Sequence, residues 1–115
     1  MNATFPAGQR WQSERRLPAA HPSLAGHFPG QPVYPGVVLL AEVMEAAMSI
    51  EPVAAWLGGS PRVDSVKFLS PIVPSPGEGD VIVSMTFTAR AAGLDFELHC
   101  GAVVAARGQL APARA

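Results

Sequence analysis

The chain has 115 residues, 49% of them apolar, and a formal charge of −1 from eight basic and nine acidic side chains. That length suits one domain with its own core, read here as residues 1–115 with flexible tails at 1–8 and 111–115. The scattered basic residues exclude the concentrated positive face that nucleic-acid binding needs. A single cysteine, Cys100, cannot form an internal disulfide, so a reducing, cytoplasmic setting is expected. No Cys or His pair stands at metal-ligand spacing, and phosphate-loop and dinucleotide signatures are missing, so neither metal nor cofactor is expected. The first ten residues lack a basic start followed by an apolar block, which argues against a secretory signal.

In chain order, residues 9–17 place Trp11 and Leu17 among polar groups, the pattern of a first strand. Residues 18–35 hold five prolines and read as loop packed on the body of the domain. From Gly36 to about Ser49, Val37, Leu40, Ala41, Met44, Ala47 and Met48 recur at helical spacing. Val38, Leu39 and Val43 make the opposite face apolar as well, leaving Glu42 and Glu45 as the polar breaks. The spacing predicts a helix enclosed on nearly all sides. It is too short and too charged to span a bilayer.

Pro52 opens a second short helix around Val53–Leu57, and Gly58 and Gly59 stop it. The period then changes. Strands are predicted at Val63–Leu69, Asp80–Arg90, Asp95–Cys100 and Ala102–Leu110, with Val81, Val83, Met85 and Phe87 alternating against Ile82, Ser84, Thr86 and Thr88. Turns are expected at 71–79 and at Ala92 and Gly93. One helix followed by three or four antiparallel strands is an α+β layout.

The candidate chemistry sits in residues 27–37, His-Phe-Pro-Gly-Gln-Pro-Val-Tyr-Pro-Gly-Val. Pro29, Pro32 and Pro35 fix φ and lack an N–H, so His27 belongs to a stiff extended loop. Gly36 admits another group close to the backbone. The free N–H groups of the following helical turn offer hydrogen bonds to an oxyanion or a polarised carbonyl. Imidazole, with its near-neutral pKa, suits proton abstraction. His21 and His99 lack such surroundings, and Cys100 reads as a small buried hydrophobe.

This stretch resembles the active-site segment of the hot dog-fold 3-hydroxyacyl-[acyl carrier protein] dehydratases. His27, Phe28, Gly30, Pro32, Pro35 and Gly36 meet each fixed position of the family's pattern. Residues 66–74, Val-Lys-Phe-Leu-Ser-Pro-Ile-Val-Pro, are similar to the strand and proline loop that follow the family's central helix. The resemblance covers most of the chain and implies an antiparallel sheet wrapped around a long central helix. It also implies an acyl carrier protein-linked thioester as substrate, no nucleic acid, no membrane insertion, and a homodimer with the site at the interface. By the same resemblance His27 is the base, the Gly36 N–H holds the thioester carbonyl, and Phe28, Pro35 and Val37 flank the substrate.

One position departs from the pattern. The family's acid lies fourteen residues after the histidine, and here that residue is Ala41. Glu45 returns to nearly the same helical face one turn on, while Glu42 is rotated by about 100°. Either, kept protonated in an apolar pocket, is a candidate acid. The alternatives are His27 returning the proton itself, a thioesterase on the same scaffold, and a weak or non-catalytic acyl carrier-binding partner. Lys67, Arg62 and Arg90 are candidate contacts for an acidic carrier surface, and Met44 and Met48 are core filler or tunnel lining.

Overall fold

The computed structural model describes residues 7–18, 34–73 and 79–113. Its elements are β1 (Arg10–Leu17), α1 (Gly36–Met48), α2 (Glu51–Leu57), β2 (Arg62–Phe68), β3 (Val81–Ala89), β4 (Leu94–Cys100) and β5 (Val103–Ala111). Each predicted element is present with its ends shifted by a residue or two, and four strands follow the helices. The strands form one antiparallel sheet in the order β1-β3-β4-β5-β2, with α1 packed on it, which is the α+β hot dog arrangement. The expected loops at 18–35 and 71–79 lie partly outside the described residues.

Alternation decides which side chains reach the helix. In β3, Val83, Met85, Phe87 and Ala89 are buried, while Ser84, Thr86 and Thr88 between them are half-buried and Ile82 before them is exposed. The register aligns Trp11, Phe87, Phe96, Gly108 and Val66 in one row across all five strands. Burying Phe87 or Phe96 contributes roughly 1.5–3 kcal/mol each. The row closes on Gly108, because a side chain there would run into the Phe96 ring, whose edge lies 2.7 Å from the Cβ position, and into the Ser65 carbonyl.

Hydrogen bonds reach the borders of the two segments expected to be flexible. Gly8 N–H donates to Ala89 O at 2.8 Å, and Ala111 pairs with Arg62. At the β4–β5 hairpin, Cys100 faces Val103 across Gly101 and Ala102. Gly101 adopts φ +61°, a conformation that costs glycine little.

The helix is less enclosed than its composition predicts. Leu39, Val43, Ala46 and Ala47 are buried, yet Val37 is 74% exposed and Ala41 and Glu45 also face outward. A single sheet covers one side of a cylinder. Among the described residues, nothing covers the apolar side chains on the other side.

Replacing Gly108 with Ala is expected to cost about 1–3 kcal/mol by overpacking the Phe96 ring. Urea denaturation checks this as a lowered midpoint with the slope unchanged.

Candidate active site

Two stretches singled out in the sequence, about thirty residues apart, meet at the first turn of α1. Tyr34 N–H donates to Ile72 O at 3.1 Å, and the Phe68 ring lies against Gly36, its tip 2.8 Å from where a Cβ would stand. The segment after β2 is itself pinned, since Leu69 and Ser70 N–H both donate to Ala105 O, at 2.8 and 3.2 Å. Ala105 is the extra residue where the β4–β5 register skips between Leu98 and His99, so its carbonyl is turned to a neighbour outside that ladder. Tyr34, Gly36, Leu39, Phe68, Leu69, Ser70 and Pro71 line an open cavity of about 380 Å³.

The helix start is built to leave donors open. Pro35 caps α1 with extended φ and ψ and no side-chain hydrogen bond, and the first turn carries no acidic residue. The first helical bonds are made by Val38 and Leu39, whose N–H groups both donate to Pro35 O. The Gly36 and Val37 N–H groups precede them and have no intrahelical carbonyl to bond. They face a region of positive helix-end potential, suited to an oxygen that gains negative charge.

Tyr34 anchors this turn. Its ring is 2% exposed, and its hydroxyl donates to Pro18 O at 2.5 Å, with Leu17 O at 3.4 Å. Burial, reinforced by the charge of Asp80, raises its pKa above the ordinary tyrosine value. The bond ties the end of β1 to the start of α1.

His27 and Phe28, the candidate base and its neighbour, lie outside the described residues. Pro35 and Gly36 stand at the cavity end of α1, and Val37 points away from the core. Glu42 and Glu45 share one partner that the sequence did not suggest. Arg15 Nε donates to Glu42 Oε1 at 3.0 Å, and Arg15 Nη2 donates to Glu45 Oε1 at 2.8 Å. Arg15 occupies the inward-facing set of β1 with Trp11, Ser13 and Leu17, so a cation points at the helix. That alternation was the available signal. Partial burial pulls the Arg15 pKa down, but hydrogen bonds to Glu45 and Glu42 and their charges more than offset it and raise it overall. The Glu45 side chain is 65% exposed and that of Glu42 only 21%, so the two carboxylates have different access to solvent.

The remaining candidates sit elsewhere. His99 is half-buried on β4, with Nε2 3.0 Å from Glu97 Oε1. Arg62 pairs with Asp64, and Arg90 with Asp95. Lys67 faces outward on β2 opposite Arg107. Cys100 is half-buried and packs against the core, as do Met44 and Met48. No described helix is long and apolar enough to cross a membrane.

Comparison with known proteins agrees with this geometry. The family profile of the ApeI-like proteins, described as ApeI dehydratase, matches residues 4–109, and the chain belongs to that family. It is 30% identical over 94 residues to the 3-hydroxyacyl-[acyl-carrier-protein] dehydratase FabZ of Rhizobium rhizogenes, covering 78% of this chain and 57% of that protein. The chain thus spans under three fifths of the length of that curated relative. Among solved structures, the dehydratase heterocomplex ApeI:P from Xenorhabdus doucetiae aligns with TM-score 0.69 and 24% identity, covering 95% of this chain and 91% of the other. The fluoroacetyl-CoA-specific thioesterase FlK aligns with TM-score 0.63 and 15% identity over 91% of this chain and 90% of its own. At those identities the structural likeness concerns the fold, which the two proteins share while differing in chemistry.

Two outcomes test the site's framework. Tyr34→Phe should cost about 1 kcal/mol at neutral pH through the lost hydrogen bond. Because the folded pKa is raised, wild-type stability is intact below the unfolded tyrosine value of about 10 and falls as pH rises from there toward the folded value. The Phe variant should lack that part of the decline in urea titrations compared at pH 8 and 10.5. For the ion pairs, a double-mutant cycle on Arg15→Met and Glu42→Gln should return a coupling of about 1 kcal/mol, with a smaller value for Glu45→Gln at its exposed site.

Proposed function

We propose that the chain eliminates water from a 3-hydroxyacyl thioester carried on acyl carrier protein, in fatty-acid or polyene-type biosynthesis in the cytoplasm. The observation that carries this reading is the uncapped first turn of α1, set against the Phe68–Ile72 segment in a member of a dehydratase family. His27 takes the C2 proton. The electron pair left behind moves toward the thioester oxygen, which the Gly36 N–H stabilises, and then returns to form the C2–C3 double bond as the C3 hydroxyl departs with a proton as water. Phe28, Pro35 and Val37 flank the acyl group.

Glu42 and Glu45 are the candidate proton donors beside the vacant acid position at Ala41. Their tether to Arg15 holds both side chains along the face of α1 nearest β1. Acting as donor therefore requires one of them to turn from Arg15 toward the substrate, and the partly enclosed Glu42 and the open Glu45 differ in how freely they can do so.

A homodimer completes the reading. β2 is an edge strand, and Val63 and Phe68 on it, Leu69 and Val73 just beyond it, and Val37 on the helix are exposed. Unpaired strand edges flanked by apolar residues favour pairing with a second chain. Such a pairing would also cover the bare side of α1. A second reading, that the acid comes from a different chain in a heterodimer, is favoured by the outward-facing Ala41, and the Xenorhabdus neighbour is itself a heterocomplex.

Incubation with a 3-hydroxyacyl thioester should yield the conjugated enoyl product without release of free thiol; thiol release would instead indicate a thioesterase. His27→Ala is expected to lower turnover by at least about 10². Of Glu42→Gln and Glu45→Gln, the variant that removes the proton donor should lose about 10² to 10⁴. Unchanged rates in both would remove both glutamates from the mechanism.

A further inference from the structure

Phe68 is placed oddly for an inward-facing residue. It pairs with the buried Ala106 at the end of β2, yet 49% of it remains exposed. Its ring does not enter the core but stands against the backbone at the start of α1. Three ring atoms lie 2.8, 3.0 and 3.1 Å from the Cβ position of Gly36, the first closer than real side chains come and the other two tighter than most, so a methyl there would force the ring to shift. The ring therefore occupies the volume that a methyl group at Gly36 would need, on the rim of the cavity lined by Tyr34, Leu39, Leu69 and Pro71.

We propose that Phe68 is a specificity-determining residue that restricts the acyl group to chains unbranched at C2. This rests on the reading that the Gly36 N–H holds the thioester carbonyl. A carbonyl oxygen accepting that bond sits about 2.9 Å from the nitrogen. The carbonyl carbon follows at about 1.2 Å and C2 at about 1.5 Å more, so C2 lies within roughly 5.5 Å of the Gly36 nitrogen. The Phe68 ring tip lies within a similar distance of the same backbone. A hydrogen on C2 passes beside the ring. A methyl on C2 is the size of the side chain that the ring already excludes at Gly36, and it meets the same obstacle. One methyl group rejected sterically corresponds to about 10- to 200-fold in discrimination.

The test uses two pantetheine thioesters that lack a 3-hydroxyl and so cannot react, butanoyl and 2-methylbutanoyl, with calorimetric Kd values for the full chain. Wild type should prefer the linear thioester by at least tenfold. Phe68→Ala should bring the ratio close to one, and Phe68→Leu, a milder change at a half-exposed position, should fall between. In a Gly36→Ala background, adding Phe68→Ala should recover part of the lost stability, because the new methyl enters the space the ring vacates. A Kd ratio that is the same in wild type and both Phe68 variants overturns the proposal. If wild type dehydrates a linear 3-hydroxyacyl thioester while that ratio stays fixed, the proposal alone falls. If wild type binds neither thioester, the proposal falls together with the reading beneath it.

Discussion

A glycine without room for a side chain sets the geometry of this molecule. Phe68 reaches the backbone of Gly36 because nothing projects from it, and that contact, with the Tyr34–Ile72 hydrogen bond, fixes the start of α1 against the segment after β2. The open donors of the first turn are functional only if they point into a defined space. Here the space is defined by elements from both ends of the central helix in sequence. Tyr34 adds the third tie by bonding the end of β1 through its hydroxyl. The site's framework is thus a product of tertiary packing rather than of local propensity.

The carboxylates illustrate the opposite situation, in which a local pattern left the surroundings open. Glu42 and Glu45 interrupt an apolar helix, and the pattern allowed both a solvent-facing place and a carboxyl kept protonated in an apolar pocket. Arg15 changes their environment by supplying a cation to both from a neighbouring strand. A polar group on an apolar helix is explained either by a partner or by solvent, and Glu42 leans on the first while Glu45 has both.

Much of the fold was legible because its periods are clean. The alternation of Val83, Met85 and Phe87 against their polar neighbours announced β3, and the run from Gly36 announced α1. The proline- and glycine-bearing string also marked where α1 begins, since Pro35 and Gly36 stand at its uncapped start. The rest depends on which strand lies beside which. Nothing in residues 9–17 says that β1 pairs with β3, and without that pairing Arg15 cannot be aimed at the helix. The apparent all-round burial of α1 failed for a related reason: composition reports that a face is apolar, not whether the covering surface belongs to the same chain.

The skipped residue in β5 has a mechanical consequence. Because the Ala105 carbonyl serves Leu69 and Ser70 together, the strand's irregularity acts as a hook for the passage that lines the cavity at the start of α1. Deleting that one residue would leave Val104 and Ala106 consecutive opposite His99 and Leu98, a regular ladder with Arg107 still outward, but would remove the carbonyl that holds the hooked passage. The flaw in the strand is what keeps the distant loop in register.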